Sequence, residues 1–96
     1  MSPIKKKKLI SLRKQLDVLD NDLIKLIKKR TNLVDQVLKL KDFKNQIVDK
    51  KRIKIILSKI KKKSINQKID PKITNRIWKN MIWSYINFEK RNFKKK

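Results

Sequence analysis

The 96-residue chain contains no cysteine, no histidine and no glycine, and each absence removes a class of function. Without cysteine or histidine the chain can form no disulfide, lacks the usual ligands of structural zinc, and has no thiol or imidazole for nucleophilic catalysis. Without glycine it cannot carry a glycine-rich phosphate-binding loop. A chain this short has a marginal core, and oligomerisation is the remaining way to stabilise it. We therefore expect no metal site and an oligomeric protein.

Long apolar runs are also missing. No segment approaches the ~18 uncharged apolar residues of a membrane-spanning helix, so we expect no membrane association by that route. A basic stretch, Lys5–Lys8, lies near the start of the chain, but Arg13 interrupts the apolar run that follows it. This arrangement is unlike a signal peptide. Together with the lack of cysteine, it favours a cytoplasmic protein.

Negative charge is scarce, because 30 Lys and Arg residues face only 8 Asp and Glu and the formal net charge is +22. Such a charge is typical of proteins that bind nucleic acid or another anionic surface. A compositional explanation competes, since lysine, isoleucine and asparagine are abundant while alanine is absent, as in genes rich in A and T codons. Few aromatic side chains are available to stack on bases. We expect no sequence-specific nucleic-acid partner, and a non-catalytic basic helical protein that binds nucleic acid stays as an alternative.

The stretch from Leu12 to Lys41 organises the chain. Its apolar residues recur at alternating spacings of three and four, which predicts a helix with one buried seam. The seam consists of Leu9, Leu12, Leu16, Leu19, Leu23, Leu26, Leu33, Val37 and Leu40. Thirty helical residues span roughly 45 Å, whereas a compact domain of this size is about 25–30 Å across. A single chain cannot cover such a seam, so we expect a homodimer.

Two further helices follow the long one. We expect the first helix to begin soon after Pro3 and to end near Asp42, and Asp49 fits the N-cap of a second helix. The polar segment Ser64–Lys68 predicts a loop. The absence of any alternating pattern excludes strands, so the predicted fold is all-α with a long, a short and a medium helix.

The third helix has the clearest start in the chain, because Asp70 can cap it and Pro71 fits its first turn. We expect a helical domain over residues 9–92, between a basic N-terminal tail, 1–8, and a basic C-terminal tail, 93–96.

One position of the seam, between Leu26 and Leu33, holds Arg30. A polar residue there can set the register or oligomeric state of a coiled coil, or it can bind an anion. Lys41 lies eleven residues further on, which places it on the same helical face. Arg13 lies seventeen residues before Arg30, about 26 Å along the axis, too far to share one small ligand. In a two-fold dimer, however, Arg13 of one chain can reach the site of the other.

Glu89 and Arg52 are also unusual for a plain helical bundle. Glu89 is the only glutamate, and it falls at apolar spacing on a stripe with Ile82 and Tyr85. It is either a rim carboxylate paired with a lysine or a catalytic group beside apolar rings. Arg52 lies in the first turn of the second helix, where a cation opposes the helix dipole unless an anion binds. Cations converging with one acid suit a carboxylate-rich ligand and a reaction driven by electrostatics.

These residues resemble the all-helical chorismate mutase family. The first segment matches as LR-x3-D-x2-D-x2-L-x2-L-x3-R over Leu12–Arg30. It is followed in order by Lys41, Asp49, Arg52, Ile69-Asp70-Pro71 and Glu89. The resemblance implies an intertwined all-α homodimer in which the long first helices pair across the two-fold axis.

The resemblance also implies a reaction, the Claisen rearrangement of chorismate to prephenate in phenylalanine and tyrosine biosynthesis, which needs no cofactor. Arg30 and the partner subunit's Arg13 would hold the two substrate carboxylates, and Arg52 would complete the anion site. Lys41 and Glu89 would contact the ether oxygen of the breaking bond. The catalytic residues expected from this resemblance are therefore Lys41, Glu89 and Arg30.

The remaining substrate-binding residues are Asp49, expected near the ring hydroxyl, and Tyr85. Many family members carry Ser where this chain has Tyr85, and Glu directly after the arginine at 52, where this chain has Ile53. The connection from Lys41 to Arg52 is also short. These departures are similar to a subgroup that includes isochorismate-pyruvate lyases, so a lyase on the same fold is an alternative activity.

Overall fold

In the computed structural model, residues 1–95 are described and form three α-helices and no strand. Lys96, the last residue of the expected tail 93–96, lies outside the described residues. The helices are α1 (Pro3–Lys39), α2 (Lys50–Asn66) and α3 (Pro71–Asn92), and a short 3-10 turn covers Lys44–Gln46. The predicted all-α fold, with a long, a short and a medium helix, is confirmed.

Helix α1 begins at Pro3 itself, slightly before the start expected soon after this residue. Proline suits a first helical position because its missing N–H would have no helical partner there. Ser2 caps the helix, since its Oγ accepts a hydrogen bond from the Lys5 amide at 3.2 Å. The basic cluster Lys5–Lys8 is therefore helical, and it is exposed.

Helix α1 ends at Lys39, three residues before the expected end near Asp42. The next two amides bond to carbonyls three residues back at 3.0 Å, so the last turn tightens. The Gln46 side chain then accepts hydrogen bonds from the amides of Asp42 and Phe43, both at 2.8 Å. The glutamine thus takes the place of a further helical turn, which the sequence pattern alone does not reveal.

Helix α2 begins at the predicted N-cap, because Asp49 Oδ1 accepts a hydrogen bond from the Arg52 amide at 3.0 Å. Its end differs from the prediction, since the helix runs on to Asn66 through the first residues of the expected loop. Ser64 is only 3% exposed. Its hydroxyl donates to the carbonyl of Ile60 and also shares a hydrogen bond with the Thr74 hydroxyl, both at 2.6 Å, and the second contact ties α2 to α3. The serine is a packing residue here and not a loop residue.

The end of α2 has the hydrogen bonding of a Schellman motif. The Ile69 amide bonds to the Ser64 carbonyl at 2.8 Å and the Lys68 amide to the Ile65 carbonyl at 3.1 Å. Lys68 adopts a left-handed conformation with φ of 58°. Glycine usually occupies this position because it has no Cβ. The chain contains none, so a lysine adopts the conformation.

Helix α3 starts as predicted, with Pro71 in its first turn and Asp70 Oδ1 accepting from the Lys72 amide at 2.9 Å. Its apolar face is buried only in its second half, at Ile82 and Ile86. These two side chains form the core with Leu38 and Ile47. Further apolar residues pack against this core, namely Val48, Ile53, Ile56, Leu57 and Phe93.

The chain divides into two compact units, the first being Met1–Leu33 and the second beginning at Val34. The core described above belongs to the second unit. In the first unit, every residue from 10 to 29 is exposed, including the five seam leucines in that range, Leu12, Leu16, Leu19, Leu23 and Leu26. Across residues 1–95, no helix combines the length and the apolar character needed to cross a bilayer.

Candidate active site

The centre of the candidate site is an ion pair between Lys41 and Glu89. The Lys41 Nζ lies 3.2 Å from Oε1 and 3.3 Å from Oε2 of Glu89. The glutamate side chain is 8% exposed and the lysine side chain 19%. One ammonium thus binds both oxygens of a buried carboxylate, although 48 residues separate the two in sequence.

Local structure explains why these two side chains meet. Glu89 follows Ile82 and Ile86 at spacings of four and three, so it lies on the face of α3 that the core covers. Lys41 comes two residues after the end of α1, just before the backbone that Gln46 holds. Burial of an unpaired charge is very unfavourable, so the contact between Lys41 and Glu89 offsets the cost of burying both groups. Among residues 1–95, no buried side-chain nitrogen or oxygen lacks a hydrogen-bond partner.

The Lys41–Glu89 pair leaves one N–H donor of Lys41 available to a ligand. An ammonium has three N–H donors, and the two oxygens of Glu89 engage at most two of them. The third can donate to an oxygen atom of a bound molecule. A carboxylate, by contrast, can only accept hydrogen bonds until it is protonated. The arrangement therefore offers one fixed, charged donor beside one acid.

A cavity of about 580 Å³ opens beside Lys41. Cavities that bind small molecules typically measure about 300–1,000 Å³. The walls come from the end of α1 and from the C-terminal end of α3 with the residues after it. They are formed by Asp35, Leu38, Lys39, Lys41, Asn92, Lys94 and Lys95. Lysine is the commonest wall residue, so the cavity suits an anionic ligand.

Three other predicted site residues also lie in the second unit. Asp49 and Arg52 are both exposed, and the Asp49 carboxylate binds the backbone of Arg52 as a helix cap. Tyr85 is half-buried on α3, one turn before Glu89. Its ring meets that of Phe88 edge to face, with centroids 6.5 Å apart. The expected roles of these three residues in substrate binding stay predictions.

Arg13 and Arg30 belong to the first unit, on α1. Arg13 is exposed, whereas Arg30 is half-buried. Seventeen helical residues separate them, about 26 Å along the axis, so a single chain does not bring them to one small ligand. The sharing of Arg13 between chains stays a prediction.

The sequence analysis missed the contribution of the C-terminal residues to the cavity. Lys94 and Lys95 were expected to form a basic tail, and Asn92 was given no role. No periodic pattern marks these residues, because they lie at or beyond the end of α3. Only the position of that end relative to Lys41 reveals them, and this position is a tertiary feature.

Comparison with protein families matches residues 12–90 to the family described as Chorismate mutase type II. Searches of the curated proteins and of the solved structures give no match. The matched span begins at the first leucine of the motif, ends one residue beyond Glu89, and includes both members of the buried ion pair. It covers well over half of the chain, which therefore belongs to the chorismate mutase type II family.

Proposed function

We propose that the protein is a chorismate mutase that converts chorismate to prephenate for the synthesis of phenylalanine and tyrosine. Family membership supports this activity and indicates an isomerase. The observation that carries the proposal is the Lys41–Glu89 pair, with a separation of 3.2 Å, beside a cavity rich in lysine. A dianionic substrate suits such a cavity because cations stabilise its carboxylates.

The rearrangement breaks a carbon–oxygen ether bond and forms a carbon–carbon bond within the same molecule. It therefore involves no net proton transfer and needs no cofactor. Negative charge develops on the ether oxygen as the bond breaks. A donor fixed beforehand at that oxygen stabilises the transition state more than the ground state. Lys41 would be this donor, held in place by Glu89. Glu89, in its protonated form, would supply a second hydrogen bond to the same oxygen.

The substrate carboxylates would be held by arginines, whose planar guanidinium groups can bind a carboxylate through two parallel hydrogen bonds. Arg30, Arg52 and the partner subunit's Arg13 are the proposed set. Asp49 would lie near the ring hydroxyl, and Tyr85 would form part of the wall. Fixing both carboxylates favours the compact substrate conformer that the reaction requires.

A second copy of the chain is the proposed partner of α1. The seam residues Leu19 and Leu23 are 57% and 54% exposed, although their spacing is that of a buried helical seam. A continuous apolar stripe of this kind is typical of an interface. Two-fold pairing of the first helices would cover it and would bring Arg13 of each chain toward the site of the other.

An isochorismate-pyruvate lyase is the second candidate, and Ile53 is the observation that favours it. Many relatives in the resemblance carry a hydroxyl-binding glutamate here, whereas Ile53 is half-buried and packs against the core. An aliphatic side chain cannot donate or accept a hydrogen bond, so recognition of the ring hydroxyl is weakened. The same cationic cavity could then serve the elimination of pyruvate.

The test is an assay of the purified protein with chorismate and, separately, with isochorismate. We expect chorismate to be consumed with formation of prephenate. Lys41→Ala should lower the rate by about 10²–10³-fold, as loss of an oxyanion-type donor does. Lys59→Ala, which removes an exposed lysine of α2, is the matched control and should change little. If the protein releases pyruvate from isochorismate and forms no prephenate from chorismate, it is a lyase and not a mutase. If Lys41→Ala does not change the rate of turnover, Lys41 has no role in the mechanism.

A further inference from the structure

The cavity beside Lys41 has an uneven charge distribution. Lys39 pairs with Asp35 at 3.2 Å, and Lys41 pairs with Glu89 at the same distance. These pairs neutralise two of the four lysines in the wall. Within residues 1–95, no ion pair involves Lys94 or Lys95. Lys94 and Lys95 therefore contribute positive charge to the cavity that no ion pair among the described residues offsets.

The position of these lysines indicates how they act. Lys94 and Lys95 follow the last turn of α3 and are exposed, whereas Lys41 is largely covered. They thus form the solvent-facing part of the wall, and Leu38, which is buried, forms an apolar part of it. A lysine ammonium is a compact charge on a flexible stem, which suits attraction of an anion more than its orientation.

We propose that Lys94 and Lys95 bind a carboxylate of the incoming substrate at the mouth of the cavity and thereby promote its capture. This inference rests on the proposed function, because it takes the ligand to be the dianion chorismate. Rim charges of this kind mainly change association rates and their dependence on salt. The two lysines would therefore act on kcat/KM and leave the bond rearrangement, and hence kcat, unchanged.

The general field of the protein is the competing explanation, since a net charge of +22 attracts any anion. A comparison of two double variants separates the two. Lys94→Gln/Lys95→Gln removes two charges from the cavity wall. Lys61→Gln/Lys62→Gln removes two exposed charges from α2, neither of which lines the cavity. Both variants have the same net charge, so any difference between them is local.

We expect Lys94→Gln/Lys95→Gln to lower kcat/KM by about 3–10-fold at low ionic strength, given two exposed ion pairs of typical strength. The kcat should stay within about twofold, and the loss should shrink at high salt because exposed charges are screened. The α2 variant should lose less than about twofold, and Lys94→Arg/Lys95→Arg should retain wild-type values because it keeps the charges. An equal loss in the α2 variant, or a loss confined to kcat, would overturn the proposal.

A second measurement does not depend on turnover. Succinate, an unreactive dicarboxylate, is titrated into the wild type and both double variants, and binding is followed by calorimetry. Weaker binding in Lys94→Gln/Lys95→Gln alone supports the capture site, even if the wild type fails to convert chorismate and the proposed function falls. Equal binding in all three proteins would refute the capture site, even if the protein proves to be an active mutase.

Discussion

The two units of the chain differ in whether their apolar residues are buried or exposed. In the second unit, which begins at Val34, Leu38, Ile47, Ile82 and Ile86 are buried together in a core. In the first unit, residues 10 to 29 form an unbroken exposed stretch that includes the seam leucines Leu12, Leu16, Leu19, Leu23 and Leu26. Both units follow apolar periodicity, but the buried apolar residues of the described chain all lie in the second. A helical pattern therefore specifies which face must be covered, and it does not specify what covers it.

The largest expected effect comes from charging the exposed seam of the first unit. Leu19→Lys/Leu23→Lys should abolish dimerisation and mutase activity, because two leucines worth about 1.5–3 kcal/mol each on burial are replaced by like charges. Sedimentation velocity and the chorismate assay measure the two losses.

Val18→Lys/Asn21→Lys is the matched control for the seam variant. It adds the same charge to the same helix outside the seam, at exposed positions, and should leave both properties nearly unchanged. A wild-type chain that sediments as a folded helical monomer at micromolar concentration would contradict the proposed dimer.

The next effect concerns the buried acid of the second unit. Glu89→Ala should lower activity by about 10²–10³-fold if Glu89 donates to the ether oxygen. It should also reduce stability by a few kcal/mol, and by less than a fully buried pair would, since Lys41 retains some contact with solvent. Thermal unfolding followed by circular dichroism separates the two effects.

Glu89→Gln sharpens this prediction through its pH dependence. A glutamate donates a hydrogen bond only when protonated, whereas a glutamine amide donates at any pH. Wild-type activity should therefore be higher at acidic pH and fall as pH rises, while Glu89→Gln should show a flatter profile and keep or gain activity at neutral pH. Identical pH–rate profiles for the two proteins would make Glu89 a structural partner of Lys41 and nothing more.

A smaller effect tests whether the first unit completes the site of another chain. Arg13→Ala and Arg30→Ala should each be inactive, but their heterodimer would have one intact site and one doubly altered site. After random subunit exchange of equal amounts, about a quarter of the wild-type activity should return, since half the dimers are mixed. Native mass spectrometry establishes that exchange has occurred. Mixed dimers without activity would mean that the two arginines do not serve one shared site.

The smallest effect is local to the second unit. Lys68 has a left-handed conformation that is unfavourable for residues other than glycine by roughly 1–2 kcal/mol. Lys68→Gly should raise the free energy of unfolding by at most about 1 kcal/mol, because glycine loses more backbone entropy on folding. Urea denaturation measures the gain, and Lys63→Gly, in the last turn of α2 before Lys68, should instead destabilise the protein.

Much of the fold was predictable because its signals are local. The N-caps Asp49 and Asp70, the proline after the second cap, and the length of the first helix all depend on neighbouring residues. The predicted ends of α1 and α2 differ from the observed ends by a few residues. In both cases the cause is a side-chain hydrogen bond that the local sequence pattern does not reveal. Gln46 binds the backbone beyond α1, and Ser64 is kept helical by contact with Thr74 on α3.

The candidate site divides in the same way. The sequence by itself determined that the chain is all-helical, that Arg30 interrupts an apolar seam, and that Glu89 lies at apolar spacing, since these are properties of one helix at a time. Only the tertiary structure decided that Glu89 forms an ion pair with Lys41, and that Lys94 and Lys95 line the adjoining cavity. The physical reason is that helical periodicity fixes directions around one axis. Distances between side chains on different elements depend on how those elements pack.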